Sequence, residues 1–299
     1  MQESCVYILV IGHFKKTATT RNNMIFEQYQ IPSSLSKNIE SILYFKDFIP
    51  DHSIERIVPT GHVFVIFELD NILRNTFDNK TLKPLKTFSK VWVSGTHRNF
   101  LSISAHQHSE MLVIQFKPTG AFPFLHRPIQ ELNDKVVDAN EVFGQEILKL
   151  RNEIIAAENP QAKFNLVSCW LEKRFDSKKE APEHLMTFTE RLQKEPVSNL
   201  TKIIGSYPAT QKQLIEHFKK YVGLTPKYYH RILRFNEILN KIKQKEKVSW
   251  TDVVYSCDYS DQSHFIKEFF LFSGFNPQEF IKMDFAKDRT NFFPMDRKG

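Results

Sequence analysis

"SDQSHFIKEFFLFSGFNPQEF", residues 260–280, opens on polar residues and passes into aromatics interleaved with charges. Three readings compete for it: a catalytic patch around His264, a length of ordinary helix, or a surface built to read something. Phe265 and Phe269 stand four apart, which puts both rings on one side of a helix beginning near Asp261. Gly274 ends that helix and Pro277 precedes the next. Just upstream, Ser249 and Asp252 form a capping pair, Trp250, Val253 and Val254 make the apolar face of a short helix, and Cys257 to Ser260 make a turn. Residues 249–281 therefore read as short helix, tight turn, helix.

The same order occurs earlier, in "SNLTKIIGSYPATQKQLIEHFKKYVGLTPKYY", residues 198–229. Leu200, Ile203 and Ile204 face one way on a short helix, and Gly205 to Pro208 break it. Thr210 with Gln213 three residues on is a capping box. Leu214 and Phe218 form the buried stripe, with Tyr221 and Val222 after them; Gly223 stops the helix and Pro226 starts the next. Both units have the pattern of a helix-turn-helix, whose second helix packs by one face and offers the other to a major groove. Between them, Tyr228, Ile232, Phe235, Leu239 and Ile242 step by fours and threes, the signature of one amphipathic helix from Pro226 to about Lys245. About 20 residues at 1.5 Å give roughly 30 Å, close to one turn of B-DNA at about 34 Å. Such a rod either spaces two readers along DNA or fills a core.

Charge is uneven along the chain. Residues 191–247 carry 13 Lys and Arg against 4 Asp and Glu, while residues 248–299 carry 6 against 8, within a formal net charge of +7 for all 299 residues. A basic excess suits a polyanion, and it equally describes a solvated lysine face. The three cysteines, Cys5, Cys169 and Cys257, lack any metal or disulfide spacing, which points to a reducing compartment. "CVYILVIG" near the start is too short to span a bilayer, which takes about 20 apolar residues. Residues 1–23 differ in pattern from the rest of the chain, and the expectation is that translation starts at Met24, with the first stretch either not translated or a loose tail.

Residues 40–117 read as strands. "ESILYFKDFI", "HVFVIFEL", "KVWVSG", "FLSISA" and "EMLVIQF" are short, β-branched and aromatic, with turn signals between them. The expectation is a sandwich or barrel large enough to enclose a small ligand. From about Ala139 the period becomes helical through Val142, Phe143, Ile147, Leu150, Ile154 and Ile155, then again through Phe164, Val167, Trp170 and Leu171. "DSKKEAPEH", containing Pro182, reads as a linker. The expected divisions are a tail at 1–23, a β-rich domain at 24–125, a helical annex and linker at 126–181, an all-α domain at 182–287 and a tail at 288–299.

Within the β-rich part, His106, His108 and Glu110 alternate along one strand face, as metal ligands do, with His97 as a fourth candidate. The plainer reading is a polar hairpin between two strands. A metal-dependent enzyme of cupin type with a helical appendage is the alternative this constellation supports. A third alternative is a helical protein-interaction module. His264 has no nucleophile or carboxylate partner in a triad-like pattern and reads as structural or close to phosphate.

"YSDQSHFIKEFFLFSGFNPQEF" closely resembles the signature of AraC/XylS-type transcription regulators, and "QLIEHFKKYVGLTPKYYHRILRF" resembles their first helix-turn-helix and connecting helix. "FKPTGAFPFLHRPIQELNDKVVDANEVFG" is similar to the regulatory domain of one branch of that family. The resemblance implies an α+β chain: an N-terminal β-rich, cupin-like barrel with a helical annex, and a C-terminal all-α double helix-turn-helix. It implies a sequence-specific DNA-binding regulator in the cytoplasm, not an enzyme, with no cofactor and no membrane association. Double-stranded DNA is the implied partner, with a small-molecule effector, a homodimer, and RNA polymerase in the case of an activator. Base-reading positions carried over by the resemblance are Lys212, Ile215 and Glu216 in the first unit and Gln262, Ser263, Ile266 and Lys267 in the second. Phosphate contacts fall to Thr210, Lys219, Lys220, Lys227 and Arg231. The sequence departs from the pattern at Asp258, where Gly is usual, at Glu216 and Lys267, where Arg is frequent or usual, and at His217, where an apolar residue is usual. Glu216 cannot pair with guanine and suits a cytosine N4 donor, so no operator is borrowed from relatives.

Overall fold

The computed structural model describes residues 24–243, 259, 261–282 and 291–296. The N-terminal half contains β1 (Ile25–Gln28), β2 (Ile39–Phe48), β3 (Ile54–Ile57), β4 (Phe64–Glu68), β5 (Arg74–Phe77), β6 (Pro84–Phe88), β7 (Val91–Ser94), β8 (Leu101–Ser104) and β9 (Ser109–Phe116). After these come α1 (Phe122–Leu125), β10 (Val136–Asp138), α2 (Asn140–Phe143), α3 (Glu146–Ala156) and α4 (Pro160–Arg174). The C-terminal half has α5 (Glu183–Lys194), α6 (Leu200–Gly205), α7 (Gln211–Tyr221), α8 (Pro226–Lys243), α9 (Gln262–Ser273), α10 (Pro277–Lys282) and β11 (Phe292–Pro294). The readings at Met1 to Asn23, at Lys245, at Ser249, Trp250, Asp252, Val253, Val254, Cys257 and Asp258, and at Ser260 lie outside the described residues.

The strands form two antiparallel sheets rather than one closed barrel. One has the order β1-β2-β9-β4-β7-β10 and the other β11-β3-β8-β5-β6. Register explains why β2, β4, β7 and β9 look almost uniformly apolar in sequence. Leu43 pairs with Val113, Val113 with Ile66 and Ile66 with Trp92, so these four share a row facing the second sheet. Their neighbours Ile42, Tyr44, Val65, Phe67, Val93, Leu112 and Ile114 point the other way into the main core. A sheet covered on both faces needs apolar residues at every position, and the period-two signal is lost.

The second covering is the helical annex. Tyr29 stacks on Phe164 at 5.2 Å, and Arg151 donates to the carbonyls of Glu68 (2.6 Å) and Asp70 (2.8 Å). Lys163 Nζ donates to the carbonyls of Ile154 and Ala157 at 2.7 and 3.0 Å, satisfying the open end of α3. The helical period expected from Ala139 onward is split in two, α2 and α3, because the chain turns at Gly144. Two stretches read as annex and tail are strands instead. Val136–Asp138 adds to β7, and Phe292–Pro294 pairs with β3, where the Asp296 carboxylate accepts from the backbone N–H of Ser53 and Ile54.

The two halves share one core. Tyr229 of α8 is fully buried against Gly61, and Asn236 Nδ2 donates to the carbonyl of Pro59 at 2.9 Å. Thr96 Oγ1 donates to the carbonyl of Val222 at 2.9 Å, Asn133 Nδ2 to that of Gly223, and Tyr228 OH to that of Arg98 at 3.1 Å. Arg56 lies between the rings of Phe100 and Phe275, at 4.2 and 4.6 Å, and donates to the carbonyls of Ser273 and Gly274 at the end of α9. Burial lowers its pKa to about 10, so it remains a cation at neutral pH.

Candidate DNA interface and interior cavity

Helix α7 begins with the expected capping box: Thr210 Oγ1 accepts from Gln213 N–H, and the Gln213 side chain accepts from Thr210 N–H at 3.1 Å. Leu214, Phe218 and Tyr221 are buried, and Phe188 meets Phe218 edge-on at 5.7 Å. Lys212, Glu216 and Lys219 are exposed, with Ile215 half-buried beside them. One row of the helix thus faces outward as its spacing required. His217, the departure from an apolar residue, is half-buried; its Nδ1 lies 3.0 Å from Tyr207 OH, and burial lowers its pKa. A neutral imidazole fills the place of a hydrophobe.

Helix α9 starts at Asp261, whose carboxylate accepts from His264 N–H at 2.8 Å. Phe265, Phe269 and Phe272 are buried, and Gln262, Ser263 and Lys267 are exposed, with Ile266 half-buried. Burying each aromatic contributes about 1.5–3 kcal/mol. This is the arrangement the stripe demands: aromatic face in, polar face out. Phe270 is 57% exposed on the outward side. His264 is exposed, lies edge-on to Tyr259 at 5.6 Å, and its Nε2 is 4.0 Å from Glu268.

Between the two units, α8 is a core strut as well as a spacer. It is described over 18 residues, about 27 Å at 1.5 Å per residue. Ile232, Phe235, Ile238 and Leu239 are buried, as are Tyr229 and Leu233, so its apolar surface is wider than the expected seam. Tyr228 and Ile242, expected in that seam, are half-buried at its margin.

The five candidate phosphate contacts fall in different settings. Lys219 and Lys227 are exposed. Lys220 lies over the rings of Phe122 (4.9 Å) and Tyr221 (5.1 Å), toward the N-terminal half. The Thr210 hydroxyl is engaged in the cap. Arg231 is drawn into an internal ion network, with its Nε 2.6 Å from Glu268 Oε2. In that network Arg234 bonds Glu268 Oε1 at 2.8 Å and Tyr259 OH donates to the same oxygen at 2.6 Å. Burial pushes the Glu268 carboxyl pKa upward, but the Arg234 charge and three hydrogen bonds more than offset this, leaving it below the usual value. Sequence reasoning missed Glu268. Its signal was available: a carboxylate within the stripe of Phe265, Phe269 and Phe272, opposite two arginines three apart.

The metal candidates are not brought together. His106 Nε2 lies 2.8 Å from Ser104 Oγ, His108 Nδ1 lies 3.5 Å from Asp47, and Glu110 accepts from Tyr44 OH at 2.7 Å. His97 is beside Ser94 Oγ at 3.0 Å, and burial lowers its pKa to about 4. Among the described residues, no group of three or more His, Cys, Asp or Glu is placed to hold a metal ion.

Between the two sheets lies a cavity of about 160 Å³. Leu43, Phe64, Ile66 and Val113 line it from one sheet and Ile57 and Ile103 from the other. Its polar members include Glu68 and Arg74. Trp92 Nε1 donates to Glu68 Oε1 at 2.9 Å, and Arg74 Nη2 lies 2.9 Å from Glu68 Oε2 and 2.8 Å from Asp70. Burial, only partly countered by Arg74, raises the Glu68 pKa to about 7. Sequence reasoning anticipated an enclosed space but named none of these residues.

Comparison with known proteins separates the halves. Residues 207–283, which contain α7 to α10, match the model of a helix-turn-helix domain. Residues 27–138 match a domain of unknown function (DUF6597). The HTH-type transcriptional activator RhaS of Shigella boydii serotype 18 is 25% identical over 140 residues, 46% of this chain and 43% of that protein. RhaS of Escherichia coli strain SMS-3-5 is 26% identical over the same shares. The chain therefore matches less than half the length of these curated relatives. Among solved structures, apo ToxT from Vibrio cholerae strain SCE256 aligns with 81% of this chain and 97% of its own at 12% identity and a TM-score of 0.43. The fatty-acid-bound form aligns with 89% and 98% at 12% and 0.41. Among the described residues no helix is long and apolar enough to cross a membrane.

Proposed function

We propose that this chain, an AraC/XylS-type helix-turn-helix regulator, binds specific double-stranded DNA sites to regulate transcription and senses a small molecule through its N-terminal half. The observation that carries the reading is the repeated construction of α7 and α9. Each is capped at its start, held by a buried aromatic stripe, and left with a polar row in the open, on either side of one strut. Lys212, Ile215 and Glu216 read bases in one groove, and Gln262, Ser263, Ile266 and Lys267 in the next. Gln262 suits adenine and Ile266 a thymine methyl. Lys219 and Lys227 hold phosphates, and Thr210 and Lys220 join them only if their present contacts are exchanged. Arg231 serves the scaffold through Glu268.

In this reading the helix-turn-helix half is 182–287 and the regulatory half, expected at 24–125, extends through β10. A homodimer through the helical annex and contact with RNA polymerase belong to the same reading, as does a cytoplasmic location. An effector acts here only by favouring one arrangement of the two halves over another, which requires different affinities for the two.

Footprinting of genomic fragments selected by the purified protein tests this. The expected result is protection of two major-groove segments about one helical turn apart per monomer. Selected fragments without a shared site, or binding with no steep salt dependence, would falsify the sequence-reading assignment.

A further inference from the structure

The cavity between the sheets has a lining that restricts what it can take. Its volume of about 160 Å³ is near that of cavities that accommodate benzene, so an occupant has roughly six to ten non-hydrogen atoms. Five aromatic side chains, Phe45, Phe48, Phe64, Trp92 and Phe292, belong to its walls. Among the described residues that line it, Glu55 and Glu68 are acidic and Arg74 alone is a strong base. Arg74 is already matched, 2.9 Å from Glu68 and 2.8 Å from Asp70. That leaves Glu55, which shares its face of β3 with Ile57. Its Oε2 lies 3.3 Å from His52 Nε2, and the other nitrogen of His52 lies 2.9 Å from Asp51. Even as an imidazolium, His52 stands between two carboxylates and leaves one negative charge. The three histidines of the lining, His62, His97 and His106, all have pKa values lowered, chiefly by burial, so they add no positive charge at pH 7.

Strand register gathers the acidic groups at one end of the space. Ile54, next to Glu55, pairs with Ser104, whose hydroxyl is 2.8 Å from His106 Nε2; the His106 ring is close enough to Arg74 to feel its charge, and Arg74 holds Glu68. Two of the rings stand at the same end, since Phe48 pairs with Ser109 and Met111 pairs with both Phe45 and Glu68. Ring faces attract a cation within about 6 Å, most strongly where water is excluded. The hydroxyls that an N–H donor could use are engaged. Ser94 Oγ is 3.0 Å from His97, Ser104 Oγ accepts from Asn75 N–H at 2.9 Å, and Ser109 Oγ donates to the His106 carbonyl at 2.6 Å. A primary ammonium would bring N–H groups without acceptors, which is costly, whereas a fully alkylated ammonium brings none.

We propose that this cavity binds a small quaternary ammonium cation of about six to ten non-hydrogen atoms, its charge at the end walled by Glu55, Phe45 and Phe48. The inference rests on the reading of the N-terminal half as a sensor and names what it senses.

The full chain is titrated calorimetrically with choline and with 3,3-dimethylbutan-1-ol, which have the same shape and differ in charge. Ethanolamine, which keeps the charge and replaces the methyl groups by N–H, is the third probe. The expected result is one choline per chain, bound at least about tenfold more tightly than either of the others. Glu55→Gln brings choline down to the affinity of the neutral alcohol. Glu55→Asp, which keeps the charge, retains part of the preference and serves if the glutamine variant does not fold. Val113→Trp fills the space and removes choline binding. Equal affinity for choline and the alcohol overturns the proposal, and equal affinity for choline and ethanolamine overturns its quaternary class. So does the absence of binding by all three, and so does choline binding that Val113→Trp leaves intact. DNA footprints of the same preparation separate the two ideas. Footprints without choline binding leave the regulator and remove this ligand class; choline binding without footprints does the reverse.

Discussion

Glu268 is a charged side chain placed where the helix period calls for a hydrophobe, and its surroundings repay that. Two arginines and a tyrosine hydroxyl satisfy it, and one of those arginines, Arg234, also lies 3.9 Å from the Tyr259 ring centre. Removing the charge while keeping the shape leaves both guanidinium groups without their counter-ion, so Glu268→Gln is expected to destabilise the protein by about 3 kcal/mol in urea unfolding. Its pKa is depressed, so its contribution is present above the ordinary carboxylate range and lost as pH falls through the folded value. The glutamine variant should therefore lack part of the wild-type loss of stability in acid. Glu68 behaves oppositely. Its pKa is raised from 4.5 to about 7, so the folded state holds a proton that the unfolded state releases. Stability is expected to decline as pH rises between those two values, by at most about 3 kcal/mol. Glu68→Gln flattens that decline. A slope that persists in the variant assigns it to another group.

At the scale of the element, the proposed function predicts that α7 and α9 separate residues that set affinity from residues that set sequence. Gln262→Ala and Lys267→Ala are expected to weaken binding to the selected site by about 1–3 kcal/mol each and to relax preference at one base position. Lys219→Ala weakens all sequences alike and reduces the salt slope by about one. Site preference unchanged in both α9 variants, measured by selection from random DNA, removes α9 as a reader. These helices were legible because caps and stripes are local: Thr210 with Gln213, Asp261 with His264, and Phe265 with Phe269 lie within four residues of each other. The strands were legible as strands, but their division into two sheets was not. Pairing partners such as Ile39 and Phe116 are too far apart in sequence for any local pattern to join them. For the same reason β11 read as a tail, since its partner β3 lies more than 200 residues earlier. The outward row of each helix, carried over by the resemblance, agrees with the period of its buried stripe, with Ile215 and Ile266 half-buried in it. The capture of Arg231 by Glu268 needed the packing of α9 against α8, which no spacing encodes.

At the scale of the whole molecule, the segments that wall the cavity also hold the DNA-binding half. Val58, Pro59, Thr60 and His62 line the space, while Gly61 between them meets Tyr229 and Pro59 accepts from Asn236. Ser94, Gly95 and His97 line it too, and Thr96 in their midst holds Val222 where α7 leads into α8. On β3, Glu55 and Ile57 face the cavity and Arg56 turns the other way to the end of α9. On the proposed function, a molecule that spreads the sheets is expected to shift the supports of both α7 and α9, the kind of differential contact that coupling between two sites requires. Gly61 tests this with an internal control. Its φ is +79°, and a Cβ there would sit 2.5 Å from the Tyr229 ring. Gly144 has a similar φ of +71° with no atom within 4 Å of a built Cβ. Alanine at either position incurs about 1–2 kcal/mol of backbone strain, but only Gly61→Ala also displaces Tyr229. Gly61→Ala is expected to speed amide exchange along α8 and to change DNA affinity at least about fivefold, about 1 kcal/mol, the lower end of the range of a coupling energy. Gly144→Ala should do neither. Equal exchange along α8 in the two variants would show that strain alone is felt and that the contact at Tyr229 does not join the cavity wall to the reading helices.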